Sequence, residues 1–173
     1  VGGASPITNA TAITADGKIA KTADQPATWT SAADKKIFVA ETKKAGVIVM
    51  GETTYNTIGK ALSERLNIVM SLEPDKRKNV PGVLEYTNKP PQELLKDLEK
   101  RGYATVILGG GATINGLFLK ESLIDEIWLT VEPKIFGEGL SLFHGADVNL
   151  DLELLETKQL DKNVLQLRYK VKK

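Results

Sequence analysis

Apolar residues along this chain cluster in two rhythms. Short runs of aliphatic and β-branched residues closed by glycine or polar turns suit strands buried on both faces, and longer stretches with helical spacing lie between them. The first run, ITNATAIT from Ile7 to Thr14, leads into an Asp16-Gly17 turn. GVIVMG (Gly46 to Gly51), RLNIVMS, VLEYT, YATVILGG and IDEIWLTVEP are the further strand candidates. Helices are predicted for SAADKKIFVAETKK, where Ile37, Phe38 and Glu41 share a face, for ETTYNTIG ending at Gly59, for PPQELLKDLEKRG with proline at its start, and for ATINGLFLKESL. Residues 20–30 lack periodicity and contain Pro26, which predicts a loop long enough to carry function. At the end, DLELLETKQLD and KNVLQLRYKVKK alternate apolar and polar residues around an Asp161-Lys162-Asn163 turn, as a half-exposed antiparallel pair does. Strands alternating with helices and finishing in such a pair predict an α/β fold: a mostly parallel, twisted central sheet, antiparallel C-terminal strands and helices on both faces.

Composition narrows this frame. A chain of 173 residues suits one domain, residues 1–173, with no internal repeat or linker. Lys and Arg total 23 against 22 for Asp and Glu, so the net charge is +1, which argues against a dedicated nucleic-acid or membrane-surface partner. A small anionic ligand needs only a local patch. The absence of cysteine excludes a disulfide framework, a thiolate metal site and a cysteine nucleophile. The single histidine, His144, lies in a predicted loop segment, LFHGADV, without an acidic or hydroxyl partner in its motif, so no metal site is expected. No apolar run reaches membrane-span length, and the opening VGGASP is neither a signal peptide nor a natural start. The expected location is the cytoplasm.

Two strand-to-helix junctions stand out. Gly109, Gly110 and Gly111 end one strand where a helix begins; Ile114 occupies the last glycine position of a Gly-x-Gly-x-x-Gly fingerprint, so that fingerprint is absent. A glycine turn at a helix N-terminus can hold a pyrophosphate through backbone N–H groups, or can simply satisfy a tight bend. At the other junction Gly51 precedes Thr53 and Thr54, which either cap a helix or offer hydroxyls to the same ligand. Together they suggest a dinucleotide spanning both.

Asp34 admits two readings. It follows Ser31 by three residues, close to a capping box. Alternatively it faces a cleft with Trp29 and Phe38 and grips the amidine-like edge of a heterocycle through paired hydrogen bonds. Arg65 is either a surface cation or a fork for a ligand carboxylate. Lys76 to Lys78 form a solvated basic loop or attract a phosphate.

WTSAADKKIF, VIVMGETTYNTIGKAL, RLNIVMS and VILGGGATINGLF resemble, in order, the signature segments of dihydrofolate reductase, over about Thr11 to Phe143. TADGKIA and LFLKESLIDEIWLTVEPKIFGEGLSLF are equally similar to the related reductase domain of riboflavin biosynthesis. The resemblance implies that Asp34 holds a pterin ring, with Trp29 ordering a water beside it. It places Phe38, Ile58 and Leu62 around the substrate, Arg65 on a glutamate-tail carboxylate and Thr130 behind the acid. It assigns Ala12 and Ile19 to the nicotinamide, and Gly51, Thr53, Thr54, Ser71, Gly109, Gly110, Gly111 and Ala112 to a dinucleotide cradle with a cis Gly109–Gly110 bond. The implied cofactor is NADPH. NADH is admitted because Glu52 stands where a basic residue usually meets the 2′-phosphate, with Ser71, Lys76 or Arg77 able to compensate.

Two further departures are a loop from Ala20 to Thr28 without the Asn-x-x-Pro-Trp pattern, and Lys35 and Lys36 following the acid. The first expectation is therefore reduction of 7,8-dihydrofolate to tetrahydrofolate, by hydride transfer to C6 and protonation of N5, in a monomer or homodimer. Arg65 and the lack of an Asp-Asn-Pro segment after the second strand rank it above the first alternative, a riboflavin-pathway reductase acting on a ribosylaminopyrimidine 5′-phosphate. The second alternative is a nucleotide-binding protein without turnover.

Overall fold

The structure is a computed structural model that describes residues 6–173; Val1 to Ser5, most of the VGGASP segment, lie outside the described residues. In chain order it forms β1 (Ile7–Thr14), β2 (Lys18–Ala20), α1 (Ala32–Ala45), β3 (Val47–Gly51), α2 (Glu52–Ile58), β4 (Leu66–Met70), β5 (Leu84–Thr87), α3 (Pro91–Lys100), β6 (Val106–Leu108), α4 (Ala112–Lys120), β7 (Glu126–Glu132), β8 (Leu140–Ser141), β9 (Leu152–Asp161) and β10 (Val164–Val171). Eight strands make one sheet in the order β5-β4-β3-β6-β1-β7-β10-β9. The first six of these run parallel, and β10 is antiparallel to both of its neighbours. The predicted α/β architecture is thus the observed one.

The all-apolar strands are buried on both faces because helices cover both. On one face Leu94, Leu95 and Leu98 of α3 and Phe118 and Leu119 of α4 pack on Val47, Val49, Ile68 and Leu108. Burying each such side chain contributes about 1.5–3 kcal/mol. On the other face Phe38 of α1 and Tyr55 of α2 meet Ile48, Met50 and Val69. Gly46 and Gly59, both left-handed, end α1 and α2 with N–H bonds to Thr42 and Tyr55 carbonyls.

Helix α1 buries only Thr42 completely, and Ile37 and Phe38 stay half-buried. The reason lies beneath them. On this face β1 presents Ala10 and Ala12, too short to fill the space under the helix, and a groove results.

Two features depart from the sequence expectations. Residues 20–30 are not one structureless loop: Lys18–Ala20 pairs with Leu140–Ser141, and Ala27–Trp29 forms a 3₁₀ turn. Such short elements carry no periodicity to read. The cis peptide joins Gly110 to Gly111, not Gly109 to Gly110. Gly109 still belongs to the sheet ladder, its N–H bonded to the Val49 carbonyl at 2.8 Å, so the bend starts one residue later.

Candidate active-site groove

The groove is built by sheet register. Ala12 lies beside Thr130, and Ala10 beside Trp128; across β7, Gln166 and Arg168 continue the same two rows. Alternation puts Glu126, Trp128, Thr130 and Glu132 on the α1 side of β7, leaving Ile127 to the opposite core. Asp34, Phe38, Glu41 and Thr42 of α1 line the other wall, over a cavity of about 30 Å³. That is room for roughly one water at the bottom of a groove open to solvent. Arg168 stacks on Trp128 at 3.7 Å and donates to Gln166 Oε1 at 2.9 Å, closing the far end.

Asp34 holds its proton more tightly than an ordinary carboxyl. Burial is the main cause and the negative charge of Glu132 adds to it, while the Thr130 hydroxyl and Lys35 act the other way. The two readings of its spacing from Ser31 now separate. Ser31 does cap α1, its hydroxyl accepting from the Asp34 N–H at 3.1 Å. The returning arm of a capping box is not made by Asp34, because the Ser31 N–H donates to Glu132 Oε1 at 3.0 Å. Asp34 is left to face the groove.

Trp29 sits on its 3₁₀ turn, edge-on to Phe136 with ring centroids 5.1 Å apart. The loop bearing Phe136 is tied down by Asp16, whose carboxylate accepts from the Phe136 N–H at 3.2 Å and the Gly137 N–H at 2.8 Å. The Thr14 hydroxyl, with help from these N–H groups, pushes Asp16 down to about 2.

Leu62 packs with Phe38 against the Ile48–Met50 cluster, Ile58 is 39% exposed at the end of α2, and Ile19 is half-buried in β2. Arg65 is bonded to its own neighbours. It is 8% exposed, its Nε donates to the Ser63 carbonyl and its Nη1 to Thr42 Oγ1, each at 2.7 Å. This guanidinium supports the groove wall from behind rather than presenting an open fork.

The glycine bend follows Leu108, which lies beside Asn9, so Gly109 to Gly111 stand one strand away from the Ala10–Ala12 floor. No side chain caps α4. The Gly51 N–H donates to the Gly110 carbonyl at 2.9 Å, linking the two junctions. Gly110 has φ +100°, and a Cβ there would meet nothing within 4 Å; a Cβ on Gly111 would come within 3.2 Å of Thr54 Oγ1. An open, uncapped helix start flanked by a hydroxyl fits a pyrophosphate: Gly110, Gly111, Ala112 and Thr54 would hold it, with Thr53 exposed beside them. Glu52 is engaged by Arg77 and by the Ser71 hydroxyl, the latter at 2.9 Å, whereas Lys76 pairs with Glu73. Arg77 is the main reason that Glu52 ionises more readily than a free carboxyl.

Sequence reading missed Glu132, Gln166 and the buried pair Asn9 and Asn115. Asn9 Nδ2 donates to Asn115 Oδ1 at 2.9 Å, and Asn115 Nδ2 to the Leu142 carbonyl at 3.1 Å, pinning α4 beneath the bend. A signal for β7 was present: Glu126, Thr130 and Glu132 share alternate positions with Trp128 in an otherwise aliphatic strand. Exposed His144 takes no part in the groove. Among the described residues no His, Asp and Glu group is placed to hold a metal ion, and no helix is long and apolar enough to cross a membrane.

The profile of the RibD C-terminal domain family matches residues 64–166. This chain belongs to that family. YwjB of Bacillus subtilis is 28% identical over 128 residues, 70% of this chain and 71% of that protein. RibD of Acinetobacter baumannii superposes with a TM-score of 0.83 at 19% identity, covering 98% of this chain and 59% of RibD. Dihydrofolate reductase of Enterococcus faecalis, solved with NADP(H), superposes with a TM-score of 0.74 at 20% identity over 97% of both chains. At such identities the two superpositions speak for the fold.

Proposed function

We propose that this domain acts on a ribosylaminopyrimidine 5′-phosphate whose ribose ring has opened, the C–O ring bond becoming a hydroxyl and leaving a C=N bond at the sugar carbon, and that it reduces this bond with a reduced nicotinamide dinucleotide. One observation carries the reading: Asp34, free of its helix cap, faces a groove floored by Ala10 and Ala12, one strand from the open glycine bend. Membership of the RibD C-terminal domain family supports this substrate class over folate, reversing the order that Arg65 first suggested. With Arg65 turned to Ser63 and Thr42, the main sequence argument for a glutamate tail loses its force.

The dinucleotide supplies the hydride to carbon when bound. Asp34 binds the heterocycle edge and carries the proton that must reach the nitrogen, so that one bond order is lost and C–H and N–H bonds form. Phe38 and Trp128 bound the ring, and the family resemblance assigns Ala12, on the groove floor, and Ile19 to the nicotinamide. Gly51, Thr53, Thr54 and Gly109 to Ala112 form the cradle. NADPH is the proposed cofactor; NADH remains open to it because Glu52, though engaged by Arg77 and Ser71, keeps a carboxylate beside the cradle.

Oxidation of NADPH and of NADH, followed by absorbance with each candidate substrate, tests the reading. Turnover with the ribosylaminopyrimidine 5′-phosphate should exceed that with dihydrofolate by about 10⁴-fold in kcat/KM, the discrimination that unpaired polar groups impose. Dihydrofolate as the better substrate would restore the second reading, which the matching positions of Asp34, Phe38 and Thr130 favour. Dinucleotide binding without turnover on either would leave a binding protein.

A further inference from the structure

The entrance of α1 is assembled unusually. A capping box returns the carboxylate three residues after the cap to the cap's own N–H. Here that N–H and the Ser31 hydroxyl both donate to one oxygen of Glu132, at 3.0 and 2.8 Å. Glu132 reaches in from β7 and does for the helix what Asp34 would otherwise do. It is 2% exposed, and no Lys or Arg pairs with it among the described residues. Burying a carboxylate without a cation is costly, and for capping alone a neutral glutamine would serve.

We propose that Glu132 is the positioning residue of Asp34: it clamps the first turn of α1 through Ser31 and so frees Asp34 to face the groove, where the Glu132 carboxylate adds to the effect of burial. The charged groups around Asp34 are few. On α1 they are Lys35, which is exposed, and Glu41, which Arg168 of β10 approaches at 3.7 Å; on β7 there is Glu132 itself. Thr130 and Gln166 complete the surroundings as neutral groups, and Arg65 stands behind Thr42. Glu132 is thus the acidic group whose removal alters the field at Asp34 without altering a groove wall.

The kinetic part of this proposal rests on the reductase reading; the electrostatic part does not. The test is an NMR titration of the side-chain carboxyl carbons in labelled full-length protein, wild type and Glu132→Gln, paired with pH profiles of kcat/KM. In Glu132→Gln the Asp34 midpoint should lie at lower pH than in the wild type. The alkaline fall of kcat/KM should move to lower pH with it, while the plateau changes less than about threefold, since the glutamine oxygen still accepts from Ser31. An Asp34 midpoint unchanged in folded Glu132→Gln overturns the proposal. If that variant does not fold, a wild-type Asp34 midpoint no higher than that of a free aspartate overturns it equally. Loss of all turnover in the wild type sinks the reductase reading and leaves the titration to decide this one.

Discussion

The glycine bend depends on two asparagines that touch no substrate groove. Asn9 and Asn115 are both fully buried, so no solvent can replace a lost partner. Asn115→Leu keeps the approximate shape and deletes two hydrogen bonds, from Asn9 Nδ2 at 2.9 Å and to the Leu142 carbonyl at 3.1 Å. Asn9 Nδ2 then keeps its 3.3 Å contact with the Leu108 carbonyl as its one partner among the described residues. Two stranded polar groups cost about 1–3 kcal/mol each, and the added apolar burial returns about 1–2 kcal/mol. The net loss should be about 2–4 kcal/mol, which lowers Tm by roughly 5–15 °C in a chain of this length. Because α4 carries the bend, dinucleotide affinity should fall in the same variant. The double variant Asn9→Leu/Asn115→Leu removes the stranded amide as well and should cost less than the sum of the singles, by about 1–2 kcal/mol. Urea unfolding of the four proteins measures this directly. A single variant within about 1 kcal/mol of wild type, or strictly additive losses, would refute the reasoning.

Asp34→Asn should lower kcat/KM by about 10²–10⁴-fold while leaving dinucleotide affinity nearly unchanged, as steady-state kinetics and fluorescence titration would report. The same variant should be at least as heat-stable as wild type at alkaline pH. The fold raises the proton affinity of Asp34, so its ionised form weakens the folded state once pH exceeds the folded pKa; the penalty disappears below the unfolded one. A clear fall in Tm at alkaline pH would contradict that sign. For Asp16 the sign is opposite. The contribution of its carboxylate to the loop bearing Phe136 is present above 3.8 and is lost as pH falls towards about 2, which acid titration of Trp29 fluorescence in a Trp128→Phe background should follow. Gly116→Ala places a Cβ 1.9 Å from the His144 carbonyl oxygen, a backbone atom with little freedom to retreat, and should be the most destabilising glycine change, by about 3 kcal/mol or more. Gly110→Ala meets no atom and should show only the cost of a positive φ, about 1–2 kcal/mol, with weakened dinucleotide binding by calorimetry.

Much of the fold could be read before any coordinates because the information was local. The runs Val47–Gly51 and Val106–Leu108, the glycine stop at Gly59 and the turn at Asp161 each bias the backbone of neighbouring residues, and periodicity adds those biases up. The site was legible only where it coincided with such punctuation, as at Ser31, Gly51 and Gly109. The short pairing of Lys18–Ala20 with Leu140–Ser141 left no mark, since its partners lie far apart in sequence.

The amino-acid order by itself determined which segments became strands and helices, and it placed an acid at one helix entrance and glycines at another. Tertiary structure decided what those residues do. Register brought Glu132 to Ser31 and so released Asp34 from its cap. Burial turned Arg65 inward to Thr42, and the small side chains of Ala10 and Ala12 became a floor only once α1 lay above them. Helix and strand preferences act through the nearest few residues, whereas hydrogen-bond partners and burial are set by the packing of distant elements, which no local pattern encodes.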